Sequence, residues 1–204
     1  MSDYNPKEKI YLTYKTRITS EARIRLTATL LNILVSWYSF CLIVISLIDV
    51  TENYHIAYAN ILIISLSVGI FGLSLFIYGE KYFERASQFR ECYLKLQKLY
   101  NSDLDQGKMM SGYADILAQY ENQSDNDYDY MVFDAWWRRQ SLRNATGPIE
   151  MSWAVAIKVA VQRFFRYGFF VILFVSPVIL GASLMEQLET PELECAGSKC
   201  LNDN

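Results

Sequence analysis

The sequence predicts an all-α membrane protein: a transmembrane helical hairpin continuing into long cytoplasmic helices, with a third transmembrane helix beside it. Three observations carry that expectation. Leu26–Ile48 and Ala57–Gly79 are each 23 residues without a charged side chain. The polar break between them, marked by Asp49 and Glu52, is too short for a folded domain. And the basic residues fall almost entirely on one side of these runs.

A 23-residue helix spans about 34 Å, enough to cross a bilayer core of about 30 Å. A helical hairpin satisfies its own backbone hydrogen bonds, as hydrocarbon demands. A third run, Tyr167–Met185, is 19 residues without charge and contains Pro177 and Gly181, which predict a kink. It reads as a third span, or alternatively as a buried helix of the soluble part. Before it, Met151–Arg166 carries Lys158, Arg163 and Arg166 among apolar residues and is expected to lie on the membrane surface as an amphipathic lead-in. No cleavable leader is expected: the first 25 residues are polar, and the first apolar run is too long for a signal h-region.

Orientation follows from the lysines and arginines. Eighteen of the 19 lie before the first run or between the second and third. The other side holds Lys199 against Asp49, Glu52, Glu186, Glu189, Glu192, Glu194 and Asp203. The N-terminus and residues 80–166 are therefore expected in the cytoplasm, with the tail outside if the third run spans. The organisation reads as a cytoplasmic amphipathic helix (1–25), the hairpin (26–79), a cytoplasmic helical region (80–150), the lead-in and third helix (151–185) and a polar tail (186–204).

Two helical stripes flank the hairpin. Tyr11, Tyr14, Ile18 and Ala22 recur at helical spacing, with Lys15, Arg17 and Arg23 on the remaining surface. After the hairpin, Tyr82, Ala86, Phe89, Tyr93, Leu96 and Tyr100 alternate steps of four and three, the seam of a coiled coil. This makes them candidate oligomer or gating residues, and the stretch is expected to run on from the second membrane helix with only Gly79 between. Shorter helices are expected over 109–120 and 131–143, separated by the acidic stretch Glu121–Tyr130.

Asp125, Asp127 and Asp129 alternate as in a calcium loop, but Tyr130 and Trp136 stand where its glycine and bidentate glutamate belong. A solvated acidic turn capping the next helix fits better. Trp136, Trp137, Arg138 and Arg139 suit a membrane-surface anchor, or a stacking contact to nucleotides. Asn32, Ser36, Ser39 and Ser46 follow one face of the first membrane helix, and Asn60, Ser67 and Ser74 recur at seven-residue steps in the second. They are candidate pore-lining residues, or simply packing residues that let helices approach. The absence of ionisable groups inside either run argues against a proton relay or coupled transporter. Cys195 and Cys200 close a small disulfide loop or remain two free thiols; both readings stay open. With one histidine, no C-x-x-C pair and no phosphate loop or nucleophile elbow, no cofactor, metal or enzyme activity is expected.

The order of features resembles the SLATT domain family. A basic helix with Lys15-Thr-Arg17 and Glu21-Ala-Arg-Ile-Arg25 leads into a two-helix hairpin, which leads into Tyr82-Phe-Glu-Arg-Ala86 through Leu96, then Tyr113-Ala-Asp-Ile-Leu-Ala-Gln-Tyr-Glu-Asn122 and Asp127-Tyr128. The resemblance covers roughly residues 8 to 185. It implies a membrane effector of a bacterial anti-phage or other conflict system, sited in the inner membrane. Such an effector is expected to homo-oligomerise, to permeabilise the membrane and to cause death or growth arrest. Its implied partner is a nucleotide cyclase, a nucleotide sensor or a reverse transcriptase, without direct nucleic-acid binding by this chain. The alternative is a non-conducting membrane adaptor for such a partner. The third run goes beyond the two helices of the family's name.

Overall fold

The computed structural model describes residues 6–52, 59–144 and 147–189. Among the described residues six α-helices follow one another: α1 (Pro6–Glu52), α2 (Ala59–Gly79), α3 (Tyr82–Tyr100), α4 (Gln106–Ala118), α5 (Asp125–Trp137) and α6 (Trp153–Glu189), with a two-residue ladder of β1 (Arg143–Asn144) and β2 (Gly147–Pro148) before α6. Stretches within α1, α2–α3 and α6 are long and apolar enough to cross a membrane. The all-α membrane architecture expected from the sequence is the one observed.

The chain forms two compact units: Met1–Leu31 with Ile77–Arg166, and Asn32–Phe76 with Tyr167–Asn204. The first is polar and holds the ion pairs; the second is apolar and holds most of the three charge-free runs.

In the polar unit, α3 buries Ala86, Phe89, Cys92 and Leu96. Cys92 and Leu96 join Ile10 of α1 and Met109 and Tyr113 of α4 in one cluster, with Tyr14, Leu99 and Tyr100 packed around it. Asp105 caps α4 by accepting from the Gly107 N–H at 3.3 Å. α3 and α4 approach so closely at Gly112 that a Cβ there would lie 3.4 Å from Leu99. A second cluster joins Met131, Val132 and Ala135 of α5 to Leu142, backed by Tyr11, Leu12, Ile149 and Met151.

The structure departs from the sequence reading in four places. α2 and α3 are not one helix: Lys81 adopts the left-handed conformation (φ 49°), which ends one and starts the other. Over residues 10–20 of α1 the buried set is Ile10, Thr16, Arg17 and Ser20, whereas Ile18 is exposed. A polar face can turn inward there because Thr16 and Ser20 donate to the carbonyls of Leu12 and Thr16, at 2.9 and 3.0 Å. Arg17 lays its guanidinium 5.1 Å from the Phe89 ring centre and donates to the Glu121 carbonyl. The acidic stretch is not wholly a solvated turn either: Asp125 opens α5, and Asp127 is buried as the third helical residue of a capping box with Ser124.

Fourthly, the lead-in is not a separate surface helix. It is continuous with the third run in α6, a helix of 37 residues, about 55 Å long. Its bases pair within the chain: Lys158 with Asp129 at 2.7 Å and Arg163 with Asp134 at 2.6 Å, both on α5. Arg163 and Arg166 also lie over the Tyr130 ring, at 5.3 and 5.5 Å.

Candidate functional site

In the apolar unit, Asn32 and Ser36 open onto a groove of about 440 Å³ that also involves Trp37, Phe40 and Phe174. Ser36, Ser39, Ser67 and Ser74 each donate to the carbonyl four residues earlier in their own helix, at 2.8–2.9 Å. Their protons are committed, and what each presents outward is an acceptor oxygen. Ser36, Ser46 and Ser67 are exposed, whereas Ser39 and Ser74 are half-buried. α1, α2 and α6 meet instead over a cavity of about 260 Å³ lined by Leu34, Tyr38, Ser65, Gly69, Ile70 and Leu173, among others. The expected pore-lining residues are thus not the ones at the helix junction. Cys195 and Cys200 lie outside the described residues, as does the side chain of Asn60; Cys41 and Cys92 are free thiols.

One polar constellation in this unit was not anticipated. Pro177 has no N–H, so the carbonyl of Leu173, four residues earlier in α6, loses its helical partner. In hydrocarbon such a carbonyl must be satisfied otherwise. The Tyr38 hydroxyl of α1 lies 2.9 Å from it and 2.6 Å from Ser176 Oγ, while Ser176 reaches the same carbonyl at 3.0 Å. Beside it, the Trp37 indole N–H donates to the Phe174 carbonyl at 2.9 Å, and its ring stacks on Phe174 at 5.0 Å and 7°. Pro177 and Tyr38 were both legible in the sequence; only their 139-residue separation hid the link.

This yields a testable pair. Tyr38→Phe is expected to cost about 1 kcal/mol, in the range of interhelical hydrogen bonds in membranes. In a Pro177→Ala background, where the helix bond can re-form, the cost should fall to a few tenths. A denaturant titration in detergent reads both; equal costs in the two backgrounds would refute the link.

In the polar unit the predicted α3 seam is present, but occupied. Ala86, Phe89 and Leu96 are buried, and Tyr82, Tyr93 and Tyr100 half-buried. Tyr100 packs its ring 5.8 and 5.9 Å from Tyr11 and Tyr14. Tyr14 sits among these rings, and burial, followed by the neighbouring phenols, raises its pKa. Burial likewise pushes the Cys92 thiol up, with Arg17 and Lys95 opposing, so it is a packing residue rather than a reactive one. The face expected to meet another copy is covered within the chain by α1 and α4.

A chain of charge pairs ties the unit together. Asp127 Oδ2 accepts from the Ser124 N–H at 3.1 Å, while Arg23 Nη2 lies 2.8 Å from Oδ1. The latter is an ion pair by distance, since no directed hydrogen bond from the described residues reaches that oxygen. Arg85 grips the Glu121 carboxylate with two donors, at 2.9 and 3.2 Å. Sequence reasoning missed these pairs because each joins distant segments.

Trp136, Trp137, Arg138 and Arg139 form the exposed end of α5. The Gln140 and Arg139 amides bond back to the Ala135 and Trp136 carbonyls, at 2.8 and 3.0 Å, with Arg139 left-handed (φ 53°) where glycine is usual. Trp136 packs against Trp153, 6.3 Å between ring centres, at the first turn of α6. Trp153 precedes Arg166 by 13 helical residues, about 20 Å. The aromatic–basic end therefore sits well away from the start of the charge-free run.

Among the described residues, no group of three or more His, Cys, Asp or Glu side chains is arranged to hold a metal.

Three helices long and apolar enough to cross a membrane, with an ion-paired helical unit on the same chain, define a helical membrane protein built around packing and charge pairs. The chain belongs to the SMODS and SLOG-associating 2TM effector domain family 5 (SLATT_5), whose family model matches residues 4–182. This is the family that the order of motifs resembles. Its domain is a membrane effector domain of conflict systems, not a known catalytic fold. No curated protein and no solved structure matches the chain.

Proposed function

We propose that this protein is the membrane effector of a bacterial anti-phage or other conflict system. On a signal from a partner, its copies assemble and permeabilise the inner membrane, and the cell dies or stops growing. The N-terminus and residues 80–166 face the cytoplasm, where eighteen of nineteen basic residues are found. The partner is a nucleotide cyclase, a nucleotide sensor or a reverse transcriptase. The chain itself performs no catalysis and makes no direct nucleic-acid contact. At rest, α3 is held against α1 and α4; the signal repacks that seam and lets polar faces line a pathway.

The observation that carries this reading is the exposed acceptor face of the apolar unit. Asn32 and Ser36 open outward rather than into the junction of α1, α2 and α6. Polar residues on the outside of a membrane helix are costly beside lipid, and useful where several copies turn them toward a shared aqueous path.

Dye release from liposomes holding the purified full-length protein tests the proposal. Leakage is expected on activation, and the double substitution Ser36→Leu with Ser67→Leu should cut it at least tenfold without unfolding the protein. If no activating condition gives leakage, permeabilisation is wrong. If the leucine variant still signals fully in cells, the chain is a non-conducting adaptor instead.

A further inference from the structure

One buried charge in the polar unit has no counter-charge. Arg17 is 0% exposed, and none of the ion pairs among the described residues includes it. Its Nη1 donates to the Glu121 carbonyl and its guanidinium faces the Phe89 ring of α3, but Nε and Nη2 meet no protein acceptor. A guanidinium does not neutralise on burial, and a buried charge is costly unless it is paired and hydrogen-bonded. Arg17 therefore weakens the very contact between α1 and α3 in which it is enclosed.

The anion that would complete this site belongs to a residue Arg17 already touches. Arg17 holds the backbone carbonyl of Glu121, while Arg85 of α3 holds the carboxylate of the same residue. Rotation about the Glu121 side-chain bonds is enough to carry that carboxylate from one arginine toward the other. Its present partner is a loose one: the Arg85 and Glu121 side chains are 37% and 49% exposed, and exposed ion pairs are weak. What keeps the carboxylate from Arg17 is the packing of Phe89, Cys92 and Leu96, which buries this face of α3. In chain order Arg17 lies shortly before the first charge-free run and Arg85 shortly after the second. Each choice of partner thus ties the linker between α4 and α5 to a different arm of the hairpin.

We propose that Glu121 is a two-position latch. At rest its carboxylate stays with Arg85 and α3 stays packed over Arg17. When α3 lifts, the carboxylate passes to Arg17, and the buried guanidinium gains its counter-charge. The inference rests on the repacking of the α3 seam proposed for activation and names the ion pair that changes hands.

Cys92, buried on α3 one turn beyond Phe89, reports the lifting of that helix. Its labelling by N-ethylmaleimide is followed by peptide mass spectrometry, in full-length protein in liposomes and without any activating signal. Arg17→Met fills the site without the charge, so it should label at least about fivefold more slowly than the unaltered chain and melt no earlier. Arg85→Gln frees the carboxylate and should label at least about fivefold faster. Adding Glu121→Gln to Arg85→Gln should bring the rate back to within about twofold of the unaltered chain, because a neutral amide gives Arg17 no counter-charge. If Arg17→Met labels as fast as the unaltered chain, or does not fold, the charge is satisfied where it stands and the latch is wrong. A double variant as fast as Arg85→Gln alone overturns it too, since Arg85 is then only a surface tie. Dye release separates the latch from permeabilisation: Arg17→Met should cut activated release at least about tenfold. The expected labelling rates with no release under any activating condition uphold the latch and refute permeabilisation. Release with unmoved labelling rates refutes the latch alone.

Discussion

Replacing Asp127 by alanine is expected to destabilise the polar unit by about 3–5 kcal/mol, the usual cost of removing one partner from a buried ion pair. Asp127 is 1% exposed and has two tasks. Its Oδ2 takes the Ser124 N–H, closing the capping box that starts α5. Its Oδ1 faces the Arg23 guanidinium at 2.8 Å. Alanine leaves one helix-end donor without its acceptor, worth about 1 kcal/mol, and leaves Arg23 partly buried without a counter-charge. Arg23 is only three residues before the first charge-free run, so the loosened contact lies where α1 leaves the polar unit. Asp127→Asn separates the two tasks: it keeps an acceptor for Ser124 and loses the charge, so it should cost less than alanine. Thermal unfolding in detergent, followed by protease cleavage within residues 80–166, measures both. An alanine variant within about 0.5 kcal/mol of the native protein, the range of ordinary surface changes, would show that the pair carries no weight.

How much of this was legible beforehand depends on how local each signal is. The charge-free runs and the four-three spacing from Tyr82 to Tyr100 depend on residues close in sequence, and helices long and apolar enough to cross a membrane cover those runs, with the stripe on α3. What covers the stripe is not local: Leu96 meets Ile10, more than eighty residues earlier. A four-three repeat states that a helix has a partner, not whether the partner is its own chain. The same blindness hid Arg17, which periodicity put on the surface because no sequence rule anticipates Phe89 beneath it. It placed Lys158 and Arg163 against lipid because Asp129 and Asp134 are 29 residues away. The aromatic–basic end of α5 poses a related question. Trp and Arg suit a membrane surface, but their depth is set by how α5 folds back along α6. The candidate pore residues remain a question of assembly, which one chain's packing does not answer.

Leu96→Ala is expected to cost about 2–5 kcal/mol, the usual range for emptying a fully buried leucine site. Leu96 is 0% exposed and sits among Ile10, Cys92, Met109 and Tyr113, contributed by three different helices. Collapse around the void is limited on two sides, because Gly112 already brings α4 against Leu99 and the Thr13 hydroxyl is 3.0 Å from that of Tyr113. Leu94→Ala, two residues away on the exposed side of the same helix, should change stability by no more than about 0.5 kcal/mol. The contrast bears on mechanism as well as on packing. If activation repacks the α3 seam, the resting arrangement is held by this cluster, and every 1.4 kcal/mol removed from it raises the repacked population about tenfold. Leu96→Ala should then leak without a signal, at least tenfold above the native protein in the liposome assay, and Leu94→Ala should not. A Leu96→Ala protein that melts several degrees earlier but stays silent until signalled would uphold the core and reject the seam as the gate. Gating would then lie in the apolar unit, where Tyr38 holds the carbonyl that Pro177 sets free.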